Sequence, residues 1–336
     1  MKYKIKIDPT EPPPVKVGFK SGYVFSEVDV CENKLGYFNR LNRNYTQFLG
    51  TKTKFRLENN SLEIFDLADK VWEAYEVLRL DDKILKLALN DSVNVIYERS
   101  KYNLVPGVPF DQIVVSSSGC LGTCQINDVM VSRNGDVTFN NEGFRQRVGF
   151  FSSDITLSEF SEIEKRFRKT DLKKLKDKYE ANWTDSNEIT ISIIQNGRIY
   201  KTIIDYGSQS PTELYWAYLP VVFLDQKLIL KNLPDDAQFY IRRIFSFEKD
   251  KKLIRLAKSE GFYLASLLSK ATPVDNIFVE KYTLLAFGEQ GSINTTTDGR
   301  YYKISLNGKY LTVDLGYNFL ERNDLLKRLS DKLYYE

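Results

Sequence analysis

The stretch EITISIIQNGRIYKTIIDYG, residues 188–207, constrains the fold more than any other. Apolar and polar side chains alternate on both sides of Asn196-Gly197, a dipeptide that accepts the positive φ angles of a two-residue hairpin turn. An antiparallel pair is therefore predicted here, and the chain must supply something to cover its apolar face.

The same grammar recurs. TKFRLENNSLEIFDL turns at Asn59-Asn60, INDVMVSRNGDVTF at Asn134-Gly135, and RYYKISLNGKYLTVDL at Asn307-Gly308. Strands are expected at about 111 to 117, 126 to 133 and 136 to 140, with FRQRVGFF extending that sheet. Apolar residues at helical spacing predict helices through Leu35, Phe38, Leu41, Tyr45 and Phe48, and through Leu67, Val71, Tyr75 and Leu78. Thr156 and Glu159 form a capping-box pattern ahead of Leu157, Phe160, Ile163 and Phe167. Pro211 suits the first turn of a helix that Pro220 should end. Asp235 or Asp236 suits a helix cap. Further helices are expected through Leu253, Leu256, Leu264 and Leu267, with Gly261 as a weak point, and through Leu325, Leu326, Leu329 and Leu333. A hairpin followed by a helix thus occurs near 53–78, 189–219 and 301–333. The expected class is α+β, with antiparallel sheets built from hairpin-helix units and helices packed on one face. Pro106, Gly107 and Pro109 mark a boundary, giving sections 1–105, 106–230 and 231–336.

Composition removes several chemistries. There is no histidine among 336 residues, which excludes imidazole-activated nucleophiles, zinc sites with His ligands and His proton shuttles. Forty-eight basic against 45 acidic side chains is too small an imbalance to require nucleic acid as partner. No stretch reaches the 18 or so apolar residues of a membrane span, and MKYKIKIDPT has no apolar signal core. Three cysteines is not the density of a disulfide scaffold, so a cytoplasmic protein without membrane or cofactor is the expectation.

Two loops are candidate binding sites. SSSGCLGTCQ places Cys120 and Cys124 around Gly122, with no cation in the loop to stabilise a thiolate and too few soft ligands for zinc. A disulfide across the turn is sterically open; the favoured reading is a reduced, tight inter-strand turn in which the glycines supply unusual angles. DYGSQSP offers Asp205, Gly207 and Ser208 before a helix, where a loop of this type binds a small anion or simply caps the helix. The basic run from Lys165 to Trp183 reads as a solvated surface over Phe167, Leu172 and Leu175. The paired acids Asp81-Asp82 and Glu162/Glu164 read as caps and surface charges. The polar stretch from Phe287 to Tyr302 reads as a contact-bearing loop or a mobile hairpin connection.

IVVSSSGCLGTCQINDVMVSRNGDVTF, with the capped helix, the Asn196-Gly197 hairpin and the Pro-initiated helix after it, resembles an uncharacterised bacterial domain family over about residues 108–225. The family pattern is a strand, a Cys-x-Gly-x-Cys turn usually followed by proline, a hairpin, a helix, a second hairpin and a final helix. Cys120, Gly122 and Cys124 match it, and Gln125 stands in the proline position. The resemblance implies a fold and a marked turn, with no reaction attached. Many relatives resemble exported proteins, in which a disulfide would persist. The missing histidines, the absence of a clustered catalytic signature and the 21 tyrosines favour a non-enzymatic cytosolic interaction or structural protein with a protein partner, as in a bacterial defence or immunity system or a phage assembly. The alternative is a histidine-independent enzyme using a thiolate or carboxylate on a small or phosphorylated substrate.

Overall fold

The computed structural model describes residues 3–6, 24–25, 29–31, 38–42, 44–90, 93–99, 103–233, 243–288, 291–306 and 309–331. In chain order its first part holds β1 (Tyr3–Lys6), β2 (Val24–Phe25), β3 (Asp29–Cys31), a separate hairpin of β4 (Phe38–Leu41) and β5 (Thr46–Gly50), then β6 (Lys52–Glu58), β7 (Ser61–Phe65), β8 (Trp72–Leu80), β9 (Ile84–Asn90) and β10 (Val93–Arg99). The middle part holds β11 (Gln112–Ser117), β12 (Ile126–Ser132), β13 (Asp136–Gly143), β14 (Gly149–Asp154), α1 (Leu157–Phe167), β15 (Lys178–Glu180), β16 (Glu188–Gln195), β17 (Arg198–Tyr206), α2 (Thr212–Val222) and β18 (Lys231–Asn232). The last part holds β19 (Arg243–Lys249), β20 (Lys252–Arg255), α3 (Lys258–Leu268), β21 (Thr272–Pro273), β22 (Tyr282–Gly288), β23 (Gly291–Thr297), β24 (Tyr301–Leu306), β25 (Lys309–Asp314), α4 (Phe319–Arg322) and β26 (Ser330–Asp331).

Each part makes one eight-stranded sheet, ordered β1-β10-β9-β8-β7-β6-β3-β2, β15-β17-β16-β11-β12-β13-β14-β18 and β21-β25-β24-β23-β22-β19-β20-β26. Among the described residues all pairings are antiparallel except β15 with β17. This corrects the expected α+β class: the molecule is mostly β. Of the three hairpin-helix units expected near 53–78, 189–219 and 301–333, only the second ends in a helix of more than one turn, as β16-β17-α2. Residues 67–78 do not form a helix, because Trp72–Leu80 pairs on both sides, with β7 and with β9. A bulge after Val77 shifts the alternation there and imitates helical spacing. The helix expected from Leu35, which lies outside the described residues, to Phe48 is from Phe38 on the β4-β5 hairpin, with Phe48 buried and Leu41 71% exposed, so these two do not share one apolar face. Residues 319–331 break into one turn of α4, a 3₁₀ turn and β26. The helix drawn through Leu253 begins only at Lys258, the preceding residues being β20. The polar stretch at 287–302 spans the β22-β23 hairpin and the start of β24 and is not a loop. Asp235, Asp236, Asn307, Gly308 and Leu333 lie outside the described residues.

The hairpin turns follow the sequence. Asn59 and Asn60 have φ of 47° and 64°, Asn196 and Gly197 of 52° and 65°, the two positive angles a type I′ turn requires. At Asn134-Gly135 only Gly135 is positive, at 98°. Thr156 and Glu159 cap α1 reciprocally, as their spacing predicts. Pro211 precedes α2, whereas Pro220 lies inside it and the helix runs on to Val222.

The middle sheet is buried on both faces, so β11 and β16 are buried along almost their whole length, the polar Ser116, Ser117, Thr190 and Ser192 included. Ile113, Val115, Val129, Phe139 and Ile191 pack under α1 and α2. Val114, Met130 and Ile194 point the other way, into a core shared with α3 and the third sheet. The first sheet has its own small core around Leu62, Val77, Leu87 and Tyr97. No helix among the described residues is long and apolar enough to cross a membrane.

Candidate functional site: a cleft between the middle and third sheets

On the face turned to α3, the middle sheet carries a row of buried polar side chains in direct register across four strands: Asn140, Asp128, Ser116 and Thr190. The first turn of α3 answers them. Lys258 Nζ lies 2.6 Å from Glu142 Oε1 and 3.4 Å from Asp128 Oδ1, and donates to the Ser117 carbonyl at 2.9 Å. Ser259 N donates to Thr190 Oγ1 at 2.9 Å, and the Ser192 and Ser259 hydroxyls are 2.8 Å apart. Glu260, fully buried, accepts from Thr202 Oγ1 at 2.6 Å and from both terminal nitrogens of Arg328 at 2.7 and 2.9 Å. Buried polar groups are expensive unless partnered, so this seam fixes the one register in which the third sheet docks. Burial lifts Asp128 above the ordinary carboxylate range, against the opposing pull of Lys258.

Beside the seam a cleft of about 830 Å³ opens between β17 on one wall and β19, β20 and the segment after α4 on the other. Its apolar lining includes Ile199, Ile204, Ile244, Phe245 and Leu256. Eight cations and three acids line it. Four further acids, Asp128, Glu142, Glu180 and Glu260, pair with lining cations without lining the cleft, so eight positive charges meet seven negative ones. Lys201 pairs with Asp177, and Lys327 with Asp324. Arg198, exposed at the rim, makes no ion pair among the described residues. Burial raises Glu188 above the usual glutamate range, with Lys178 pulling the other way.

Cys120 and Cys124 are joined by a disulfide, their Cα atoms 5.6 Å apart, which corrects the reading of a reduced pair. Gly122, at φ 132°, lets the chain reverse within five residues, so the two sulfurs meet and neither is available as a ligand. Closing so short a loop contributes about 2 kcal/mol by removing freedom from the unfolded chain.

Asp205, Gly207 and Ser208 form a loop whose anion position is filled from within. Asp205 Oδ1 accepts the Gln209 and Ser210 amides at 2.6 and 2.9 Å, and Oδ2 accepts the Ser210 and Tyr218 hydroxyls at 2.5 and 2.8 Å. The carboxylate thus anchors the entry to α2, and burial together with that carboxylate pushes the Tyr218 hydroxyl well above its usual pKa. The two sequence candidates are not brought together into one site. Lys173, Lys174 and Lys176 are exposed, while Phe167 and Leu172 beneath them are buried. Glu164, read as a surface acid, is instead a hub: it accepts from Phe110 N, Arg133 and Arg168. Sequence reasoning missed the seam because Ser116, Asp128, Asn140 and Thr190 look singly like the wet face of ordinary strands. Their alignment across strands was the available signal.

No curated protein matches the chain. Residues 111–224, which hold β11 to β17, the disulfide loop, α1 and α2, match the model of a domain of unknown function, DUF6438.

Proposed function

We propose that the chain is a non-enzymatic binding protein whose partner is another protein, and that the partner lays a segment of its chain into the cleft between the middle and third sheets. The observation that carries this reading is the charge balance over an apolar floor. A phosphate-bearing polymer is held by a surplus of cations, whereas here eight cations meet seven acids. Matched charges, those of Lys258 and Arg328 fixed by buried acids, beside Ile199, Ile244 and Leu256 suit a segment that mixes polar and apolar side chains. The volume falls in the usual range of binding pockets, and the position between two packed sheets is a common one for them. The same balance weighs against the alternative of an enzyme for phosphorylated substrates, whose site would converge unneutralised cations. One wall of the cleft, β17, belongs to the DUF6438 match and the other does not, so partner choice rests on this chain's own third sheet.

Capture from the native cell tests the reading. The wild type should retain a stoichiometric protein, identified by mass spectrometry, and an Arg198→Glu, Lys327→Glu variant of unchanged thermal stability should lose it. Equal recovery by both proteins, or a co-purifying nucleotide in place of a protein, would overturn it.

A further inference from the structure

We propose that the Cys120–Cys124 disulfide is a redox switch on the cleft, setting the positions of Lys258 and Glu188 at its edge; the regulatory meaning rests on the binding reading above. The end of β11 that leads into the disulfide loop is tied to both residues. Ser117 Oγ donates to the Gln125 carbonyl at 2.7 Å, bracing the base of the loop, and the Ser117 carbonyl accepts Lys258 Nζ at 2.9 Å. Ser118 N donates to the Glu188 carbonyl at 2.9 Å while Glu188 N donates to Ser118 Oγ at 2.8 Å. Leu121 N donates to the Asp185 carbonyl at 3.2 Å. Lys258 and Glu188 both line the cleft, so the closed loop is a brace for one end of it.

The disulfide is within reach of a reductant. Cys120 and Cys124 are half-buried, and the residues between them include Leu121, 83% exposed, and exposed Gly122. A dithiol attacks one sulfur as its thiolate, breaking the Cys120–Cys124 bond and forming a mixed disulfide. Its second thiol then displaces that cysteine, leaving two protein thiols and the oxidised, cyclic reductant. Two electrons and two protons pass to the protein. The span from Cys120 to Cys124 then regains its conformational freedom, the Ser117–Gln125 and Leu121–Asp185 bonds loosen, and the chain beyond Ser117, the last paired residue of β11, is held less closely.

Lysine acetylation of the whole protein reads this directly. Oxidised and dithiothreitol-reduced wild type are treated with N-hydroxysuccinimidyl acetate, and each lysine is followed by peptide mass spectrometry. Lys258, whose side chain is 8% exposed, should react about tenfold faster after reduction, while Lys303, in the third sheet beside Glu280, stays within about twofold. A Cys120→Ser, Cys124→Ser variant should match the reduced wild type. An unchanged Lys258 rate, with both thiols shown free by alkylation, overturns the proposal; so does an equal rise at Lys258 and Lys303, which marks global loosening. Neither readout depends on a partner. Failure to capture one sinks the binding reading alone.

Discussion

At the scale of single residues, Lys258 and Asp128 behave as an unequal pair. Lys258 pairs with two acids, so Lys258→Met leaves buried Asp128 without its cation and Glu142 with Arg243 alone, 3.8 Å away, and should cost about 3 kcal/mol in urea unfolding. Asp128→Asn removes a buried charge while keeping the shape, and Lys258 retains Glu142. It should leave stability at pH 7 unchanged or higher. The sign follows from the raised pKa: ionised Asp128 costs the native state at neutral pH, and that cost is relieved as pH falls through its folded pKa. The advantage of Asp128→Asn should therefore shrink on acidification; an advantage that grew would contradict the assignment. For the disulfide, Cys120→Ser with Cys124→Ser should lower stability by about 2 kcal/mol under non-reducing conditions, and wild type in reductant should show the same loss.

At the scale of elements, α3 is the joint between the middle and third sheets, and Gly261 is what lets it fit. A Cβ there would stand 2.2 Å from the Ile244 carbonyl oxygen, a backbone atom that cannot yield without moving β19. Gly261→Ala raises helix propensity yet should destabilise by about 2 to 3 kcal/mol in thermal unfolding. No loss would contradict the close approach of α3 to the Ile244 carbonyl. The sequence view of Gly261 as a weak point in a helix had the residue and missed the reason, which is tertiary. The same boundary separates what was legible elsewhere. Hairpins at Asn59-Asn60 and Asn196-Gly197 are written locally, in residues that tolerate positive φ, and so is the Thr156 cap. Trp72–Leu80 was misread because its bulge after Val77 breaks the period of two, and only pairing with β7 and β9 makes it a strand. The cleft was illegible because its walls are about 40 residues or more apart in sequence and meet through α3.

At the scale of the whole molecule, the middle and third sheets share a core through Val114, Met130 and Ile194, while the first sheet keeps its own. Calorimetry should resolve two transitions, with Leu87→Ala lowering only the one belonging to the first sheet and Phe247→Ala only the other. A single transition shifted by both variants would contradict that division. Partner binding should raise the transition of the shared core alone, since the cleft is built from those two sheets.

The central claim, that the cleft receives a protein segment, is tested most directly by crosslinking inside the cell. A photo-reactive amino acid in place of Arg198, at the rim, should give one discrete crosslinked protein, and the same group in place of Trp72, on the first sheet and 39% exposed, should not. A discrete product from position 72 with none from position 198 would place the interaction elsewhere and contradict the account.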